Sequence, residues 1–280
     1  MRGKLFIGRG LSIEGKSTIG GLPLDTNDGT IAAAYSLRYL KTDIIGSHVV
    51  HIKRNVDGFI QGFTPSQITD GTLLDFTGSD SGFVSHWIDQ SGNNLDVTQP
   101  NPQYQPRIVD RGSLILENGL PTLLFESSRT TSLKSTTIVS SPQPITRIVV
   151  GKQDINNFGY LIDGSATNRG VIGTKSGSFE ARLFAGLAAD YTGITNPFEN
   201  QSIAFAVFNT LSQLYINNNS LGEVDAGSHG FDKVILGAKD SVTSTEYLDG
   251  NIQEVLVYTS DQINNKASIQ EDMNNYYSIY

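Results

Sequence analysis

Three short segments between residues 84 and 121 decide the fold class: Val84-Ser-His-Trp-Ile-Asp-Gln-Ser-Gly-Asn-Asn-Leu95, Gln105-Pro-Arg-Ile-Val109 and Glu117-Asn-Gly-Leu-Pro121. In the first segment, a short strand ends in an Asp-Gln-Ser-Gly-Asn turn. A proline-rich loop separates it from the second segment, and Asn-Gly followed by Pro launches the next strand. Short strands bounded by Gly, Asn, Asp and Pro are typical of all-β proteins.

The composition agrees with this class. The chain has 280 residues, enough for one large β-sandwich or two small domains. Only 17% of the residues are charged and 29 are glycine, which indicates many turns. Ile, Val, Thr, Tyr and Phe supply the residue types that strands prefer, and a core of this size can support independent folding.

Strand-like segments recur along the rest of the chain, and most are four to eight residues long. They lie at 48–54, 59–63, 83–88, 122–125, 145–152, 160–162, 170–174, 179–184, 203–209, 213–217, 234–236 and 252–258. The Asn-rich turn within 214–222 predicts a hairpin. This pattern favours a sandwich over alternating βαβ units.

Two helices are predicted outside this strand region. Residues 31–40 contain three consecutive alanines and a leucine, which are good helix formers. Residues 260–280 carry an approximate apolar stripe, and Thr259 with Gln262 matches a capping box.

The first 30 residues are rich in glycine and have little potential to form a core. We expect residues 1–30 to form an extended N-terminal arm that contacts a neighbouring subunit, and residues 31–280 to form the sandwich domain.

Charge and residue content argue against several function classes. The formal net charge is −8 and no basic run is present, so nucleic acid is not an expected partner. The chain has no cysteine, which excludes disulfides and cysteine-ligated metal sites. No apolar run reaches ~18 residues, so membrane insertion is not expected. The first eight residues lack the apolar region of a signal peptide, which predicts synthesis in the cytoplasm.

The three segments, together with Ala33-Ala-Tyr-Ser-Leu-Arg38 and the hairpin beginning Leu214-Tyr-Ile-Asn217, carry a family resemblance. They resemble the catalytic domain of fungal α-L-arabinofuranosidase B. They are equally similar to the laminin-G-like, concanavalin A-like sandwich domains of phage virion proteins. The resemblance covers about residues 31–280 and implies a jelly-roll β-sandwich with a C-terminal helix.

The second resemblance implies a virion structural protein of a tail, spike or capsid fibre, made in the host cytoplasm, with a lectin-like domain for host-surface glycans. Its partners would be other virion proteins and copies of itself, bound through the arm. The first resemblance implies a glycoside hydrolase of the arabinofuranosidase type. A purely architectural virion module is the third alternative. None of these readings predicts a cofactor.

The hydrolase resemblance also implies catalytic residues. Glu180, in Glu180-Ala-Arg-Leu-Phe-Ala-Gly186, matches the nucleophile segment, and Asp240, after Val234-Ile-Leu-Gly237, matches the acid/base segment. A retaining glycosidase holds two such carboxyl groups ~5 Å apart. This chain departs from the family at Ser178, where the family has a second acid, and it lacks the family's cysteine pair. The alternative interpretation is that both carboxylates face solvent at strand ends.

Two further features have a structural and a binding interpretation. Trp87 is the only tryptophan; on a strand it is more often a core residue than a platform for a sugar. The turn after it is more often stabilised by its own side chains than used for a ligand. Its residues are Asp89, Gln90, Ser91, Gly92 and Asn93.

No metal site is predicted. Asp25-Thr-Asn-Asp-Gly29 has the start of a calcium-binding loop, but the spacing departs from the EF-hand pattern and a turn is favoured. His48 and His51 are three apart, which on a strand predicts opposite faces. His86 and His229 are isolated in the sequence.

Overall fold

The computed structural model describes residues 21–26, 29–240 and 246–280, and it confirms the predicted all-β sandwich with a C-terminal helix. Its strands are β1 Ile31–Ser36, β2 Val50–Arg54, β3 Ile60–Phe63, β4 Gly82–Trp87, β5 Val97–Thr98, β6 Arg107–Asp110, β7 Ser113–Leu114, β8 Leu116–Glu117, β9 Leu120–Pro121, β10 Leu123–Phe125, β11 Leu133–Lys134, β12 Ile145–Gln153, β13 Tyr160–Asp163, β14 Val171–Thr174, β15 Glu180–Phe184, β16 Ala188–Thr195, β17 Ser202–Phe208, β18 Ser212–Ile216, β19 Asn219–Val224, β20 Ile235–Leu236 and β21 Gly250–Tyr258.

The helices are α1 Pro65–Thr69, α2 Thr72–Thr77 and α3 Lys266–Tyr277, with 3-10 turns at Thr42–Ile44, Pro102–Tyr104, Ser127–Arg129 and Ile263–Asn265. No helix in the described part of the chain is both long and apolar enough to cross a membrane.

The strands form two layers joined at one corner. The back sheet has the order β19-β18-β17-β12-β21, and β1 and β10 pair with successive parts of the free edge of β21. The front sheet has the order β3-β2-β4-β5-β11-β20-β13-β14-β15-β16. Strand β6 pairs with both β4 and β10 and so connects the two layers.

Apolar side chains fill two cores. The larger core lies between the sheets and contains Tyr35, Trp87 and Phe231. The smaller core lies on the outer side of the back sheet, where Phe205 and its neighbours pack against Met273 and Tyr277 of α3. The back sheet is therefore buried on both faces, whereas the front sheet has an outer face that α3 does not cover.

The helix predicted at 31–40 is wrong, because Ile31–Ser36 is a strand that pairs with β21. Alanine has the highest helix propensity, but all six residues of β1 are buried. Ala33 and Tyr35 face the large core while Ala34 faces the small one. Tertiary packing on both faces thus overrides the local preference.

The C-terminal helix is present, but its predicted capping box is not. The helix begins after Asn265, which makes no side-chain cap, and the Thr259 hydroxyl instead donates to the carbonyl of Thr30. A true capping box occurs at α1, where Thr64 and Gln67 bond each other's backbone N–H groups. The sequence Thr64-Pro-Ser-Gln67 matches the capping-box pattern, in which Thr is followed three residues later by Gln.

Most of the predicted arm lies outside the described residues. In its described part, Leu24 is buried in the small core and its N–H donates to the carbonyl of Leu40. Its contacts with another subunit stay a prediction.

Candidate functional site

The two carboxylates matched to the hydrolase pattern have separate surroundings. Glu180 begins β15 and accepts hydrogen bonds from the Gly193 N–H at 2.9 Å and the Ser178 hydroxyl at 3.0 Å. Asp240 follows β20 and lies 3.2 Å from the Lys233 ammonium. β13 and β14 separate the two strands, which puts β15 and β20 about 14 Å apart. Glu180 and Asp240 share no partner among the described residues.

The structure places Trp87 in the large core. Its side chain has no exposed surface, and its ring lies 5.9 Å from that of Tyr35. Neither face of the indole is open to a sugar, so the structure contradicts the interpretation of Trp87 as a stacking platform. The core interpretation agrees with this placement.

The turn after Trp87 fastens β4 to the segment that contains β1. The Asp89 carboxylate accepts from the Ala34 N–H at 2.9 Å and also from the N–H groups of Ser91 and Leu95. The Gln90 side chain forms hydrogen bonds with the backbone of Ser36, Arg38 and Leu40. The Asn93 side chain donates to the carbonyls of Ile31 and Ala32. Gly92, at the bend of the turn, has a φ of 94°. The side chains of this turn are thus used within the fold.

Three histidines that the sequence separated lie side by side on the front sheet. The ring of His51 lies 5.3 Å from that of His86 and 6.1 Å from that of His48. The prediction of opposite faces is wrong because β2 begins only at Val50, so His48 is not part of the strand. His86 is the cross-strand neighbour of His51 and is therefore not isolated.

Burial, and next the charges of His86 and His48, lower the pKa of His51. No group of three or more metal-binding side chains within residues 21–26, 29–240 and 246–280 is arranged to hold an ion.

The segment considered for calcium is only partly described. The Asp25 carboxylate accepts hydrogen bonds from Leu22 and Thr42, and residues 27–28 lie outside the described residues. Calcium binding there stays without support.

A group of charged and aromatic side chains lies on the uncovered outer face of the front sheet, at strands β13 to β16. We call it the front-face site, and it consists of Tyr160, Arg169, Lys175, Glu180, Arg182, Phe184 and Asp190.

The front-face site is built on one cross-strand row. Tyr160 lies opposite Gly173, Gly173 opposite Arg182, and Arg182 opposite Asp190. A side chain at Gly173 would clash with the Tyr160 ring, since an added Cβ would lie 2.6 Å from its Cδ1 atom. The glycine therefore leaves room for Tyr160 to lie between the flanking strands.

Ion pairs fix the basic side chains of the site. Arg182 donates to Asp190 through Nε at 2.6 Å and Nη2 at 3.0 Å. The Lys175 ammonium lies 3.4 Å from Asp190 and 3.6 Å from Glu180. Two-point arginine–carboxylate pairs hold both groups in a defined orientation.

Arg169 adds a stacked layer above the sheet. It donates to Asp163 through Nε and Nη2, and its guanidinium carbon lies 4.5 Å from the centre of the Phe184 ring. The ring of His229 lies 6.3 Å from that of Phe184, and its Nδ1 atom accepts a hydrogen bond from the backbone N–H of Arg169. Asp163 is fully buried beneath this layer.

The carboxyl groups of the site differ in their protonation chemistry. The Gly193 N–H and then the Ser178 hydroxyl lower the pKa of Glu180. Hydrogen bonds from Arg182 lower the pKa of Asp190. Burial raises the pKa of Asp163, against the lowering effect of Arg169. Glu180 and Asp190, which are partly buried, are therefore ionised at neutral pH.

Sequence reasoning found Glu180 but missed the rest of this site. The alternation in Glu180-Ala-Arg-Leu-Phe184 was the available signal, because in a strand it places Glu180, Arg182 and Phe184 on one face. Arg169 and Tyr160 come from other segments, and only the strand pairing brings them to the same face.

The fold is similar to that of solved arabinofuranosidases. A mutant GH54 α-L-arabinofuranosidase soaked with 4-nitrophenyl α-L-arabinofuranoside matches with a TM-score of 0.67 and 13% identity, over 91% of this chain and 65% of that one. The same type of enzyme soaked with a cyclic sulfate inhibitor gives 0.61 and 15%, with the same coverage of both chains. An arabinofuranosidase complexed with arabinofuranosyl-α-1,2-xylobiose gives 0.56 and 15%, over 86% and 61%.

This chain thus spans less than two thirds of the length of these proteins. No protein-family profile matches it, and no curated protein is similar in sequence. At these identities the likeness establishes the β-sandwich fold.

Proposed function

We propose that this chain is a carbohydrate-binding β-sandwich module. The observation that carries the proposal is the front-face site, where the half-exposed Phe184 ring lies beside fixed ion pairs on the outer face of the front sheet, which none of the described helices covers. An aromatic face suits the C–H groups of a sugar, and oriented guanidinium and carboxylate groups suit its hydroxyls. The fold shared with enzymes that were solved with arabinofuranosides supports a sugar as the ligand.

The electrostatics of the site favour binding over hydrolysis. A glycosidase of the usual kind needs one protonated carboxyl group at the scissile bond. Glu180 and Asp190 are partly buried and have lowered pKa values, so neither holds a proton at neutral pH. Asp163 has the raised pKa, but it is fully buried and paired with Arg169.

A glycan array followed by calorimetry on the intact chain tests the proposal. We expect Phe184→Ala to weaken binding of a captured glycan on the order of tenfold, since it removes the ring under Arg169. Phe59→Ala is the matched control, because Phe59 is an exposed phenylalanine under Arg54 at the other edge of the front sheet. If Phe184→Ala and Phe59→Ala bind the glycan with equal affinity, the proposal that the front-face site binds it is wrong.

A hydrolase is the second candidate, and one observation favours it. Glu180 and Asp190 both lie within 4 Å of the same ammonium, so two carboxylates are close together on the exposed face. Release of 4-nitrophenol from an aryl arabinofuranoside tests this. We expect no turnover. Turnover that disappears in both Glu180→Gln and Asp190→Asn would establish the hydrolase instead.

The setting of the module is a further part of the proposal. We place it in a phage virion protein, facing host-surface glycans, with the N-terminal arm bound to a neighbouring copy. The motif resemblance and the glycine-rich arm support this setting. Ordering a glycine-rich chain costs ~1–2 kcal/mol per residue, which only extensive contacts offset.

Deletion of residues 1–20 tests the arm and retains Leu24, which packs on the back sheet. We expect the oligomer seen by light scattering to be lost while the circular dichroism of the sandwich is kept. An unchanged oligomer would contradict the role of the arm. Arm-dependent assembly without any glycan binding would indicate the purely architectural module.

A further inference from the structure

Two arginines of the front-face site leave the same part of their guanidinium groups unused. Arg169 and Arg182 each bind a carboxylate through Nε and Nη2. Apart from the Tyr160 hydroxyl, no described residue accepts a hydrogen bond from the remaining N–H groups of either guanidinium. Each guanidinium is therefore held in place through Nε and Nη2, and its Nη1 group remains as a hydrogen-bond donor.

The two guanidinium groups converge on the Tyr160 hydroxyl. Burial opposes the charged form of Arg169, but Asp163 outweighs it, so its pKa is raised, and Tyr160 adds to the rise. For Arg182, hydrogen bonds to Asp190 raise the pKa, and Tyr160 again contributes. Gly173 lies between Tyr160 and Arg182 in the sheet, and its missing side chain opens the path between them.

Two neighbouring guanidinium groups with free donors form a receptor for an anion. The site is still not uniformly positive, because Glu180 and Asp190 lie beside it. Asp190 is neutralised by Arg182 and Lys175, and Glu180 is engaged by Gly193, Ser178 and Lys175. A small carboxylate can therefore approach the arginine pair without facing an unpaired acid of the site.

We propose that Arg169 and Arg182 bind the carboxylate of an acidic sugar, so that the glycan recognised at the front-face site carries a uronic or other sugar acid. The half-exposed ring of Phe184 lies beside Arg169 and offers a surface for the apolar side of the same sugar ring, whereas Tyr160 is buried beneath the arginines. This inference rests on the proposed glycan-binding function and names the class of sugar.

Calorimetry on the full chain with two probes tests it: an oligogalacturonide, and the same oligosaccharide with its carboxylates methyl-esterified. The ester keeps the sugar rings and removes the charge. We expect the acid to bind on the order of tenfold more tightly, with an advantage that shrinks as salt is raised. Arg182→Gln and Arg169→Gln should each remove most of this advantage.

Arg129→Gln is the control, because Arg129 also pairs with a carboxylate and stacks on an aromatic ring, over Phe83 at 4.8 Å. It should leave the preference for the acid unchanged. Equal affinity for acid and ester, or a preference that survives both site variants, would overturn the sugar-acid inference and leave glycan binding intact. No binding to any probe or array glycan would instead overturn the proposed function and this inference together.

Discussion

The outer faces of the two sheets differ in what covers them. On the back sheet, β17 is buried at all seven positions, because α3 and Leu24 pack over its outward-facing side chains. On the front sheet, β15 alternates between buried and half-exposed residues. A sheet buried on both faces tends to read as a continuous apolar run, whereas a sheet with one open face alternates.

The difference locates the part of the molecule that is available for binding. One charged group of the back sheet lies inside the fold, because Glu254 is fully buried and accepts hydrogen bonds from Ser36, Arg38 and Tyr277. On the front sheet, Asp163 is buried as well, but the pair of Arg182 with Asp190 is partly exposed on the outer face. The proposed binding site therefore lies on the front sheet, on the opposite side of the sandwich from this buried cluster.

The largest effect should come from breaking the buried charge cluster. Arg38 binds the fully buried Glu254 through Nε at 2.8 Å and Nη2 at 3.0 Å. Arg38→Leu leaves this carboxylate without its cation, and we expect a loss of about 3–5 kcal/mol in the free energy of unfolding. Urea denaturation followed by the fluorescence of the buried Trp87 measures it.

Arg54→Leu is the control for that experiment. Arg54 binds Asp57 with the same two-point geometry, but at the surface. We expect its denaturation midpoint to change little, because exposed ion pairs are screened by solvent. Similar losses of unfolding free energy in Arg38→Leu and Arg54→Leu would contradict the proposed difference between buried and exposed ion pairs.

The same substitution on the two faces sharpens the comparison. Phe205→Ala removes a buried ring between the back sheet and α3, and we expect a loss of about 3–5 kcal/mol. Phe184→Ala removes a half-exposed ring on the front sheet, where we expect less than about 1 kcal/mol. Thermal unfolding of both variants checks this, and a loss at Phe184 as large as that at Phe205 would argue that its ring serves packing.

The sequence predicted the parts of the fold that depend on local pattern. Alternating segments such as 179–184 and the hairpin turn at Asn217 and Asn218 were recognisable, and both asparagines adopt positive φ as that turn requires. The strand at Ile31–Ser36 was not recognisable, because its partners lie more than 200 residues away at β21. Local propensity then predicted a helix.

The site was predictable only in part, for the same reason. Glu180 was found through a motif, but Arg169 and Tyr160 join it through strand pairing that the sequence does not show. The three histidines are a second example, since His51 and His86 meet only across β2 and β4.

The front-face ion pair should have a smaller effect on stability than the buried one. Asp190→Asn removes the partner of Arg182, and we expect a loss below about 1 kcal/mol because both side chains are partly solvated. The pKa of Asp190 is lowered in the folded state, so its contribution is present above its ordinary value near 3.8 and is lost as the pH falls through the folded value. The difference in stability between the two proteins should therefore narrow as the pH falls below 3.8, and a difference that stays constant through the acid range would contradict the pairing.

The smallest effect concerns the histidines of the front sheet. Burial, His86 and His48 lower the pKa of His51 below 6.5, and the charge of Asp96 opposes them only in part. The unfolded chain then binds more protons than the folded one below pH 6.5, so this stabilising contribution is present above that pH and is lost as the pH falls through the folded value. His51 is half-exposed, so we expect its share of the fall in Tm between pH 7.5 and 5.5 to be only about 1–2 °C.

The variant His51→Gln should reduce this fall in Tm by about 1–2 °C. The control is His229→Gln, because His229 is not part of the group formed by His48, His51 and His86, and it should leave the contribution of His51 unchanged. A fall that is the same in wild type and His51→Gln would show that burial and the neighbouring imidazoles do not lower the pKa of His51.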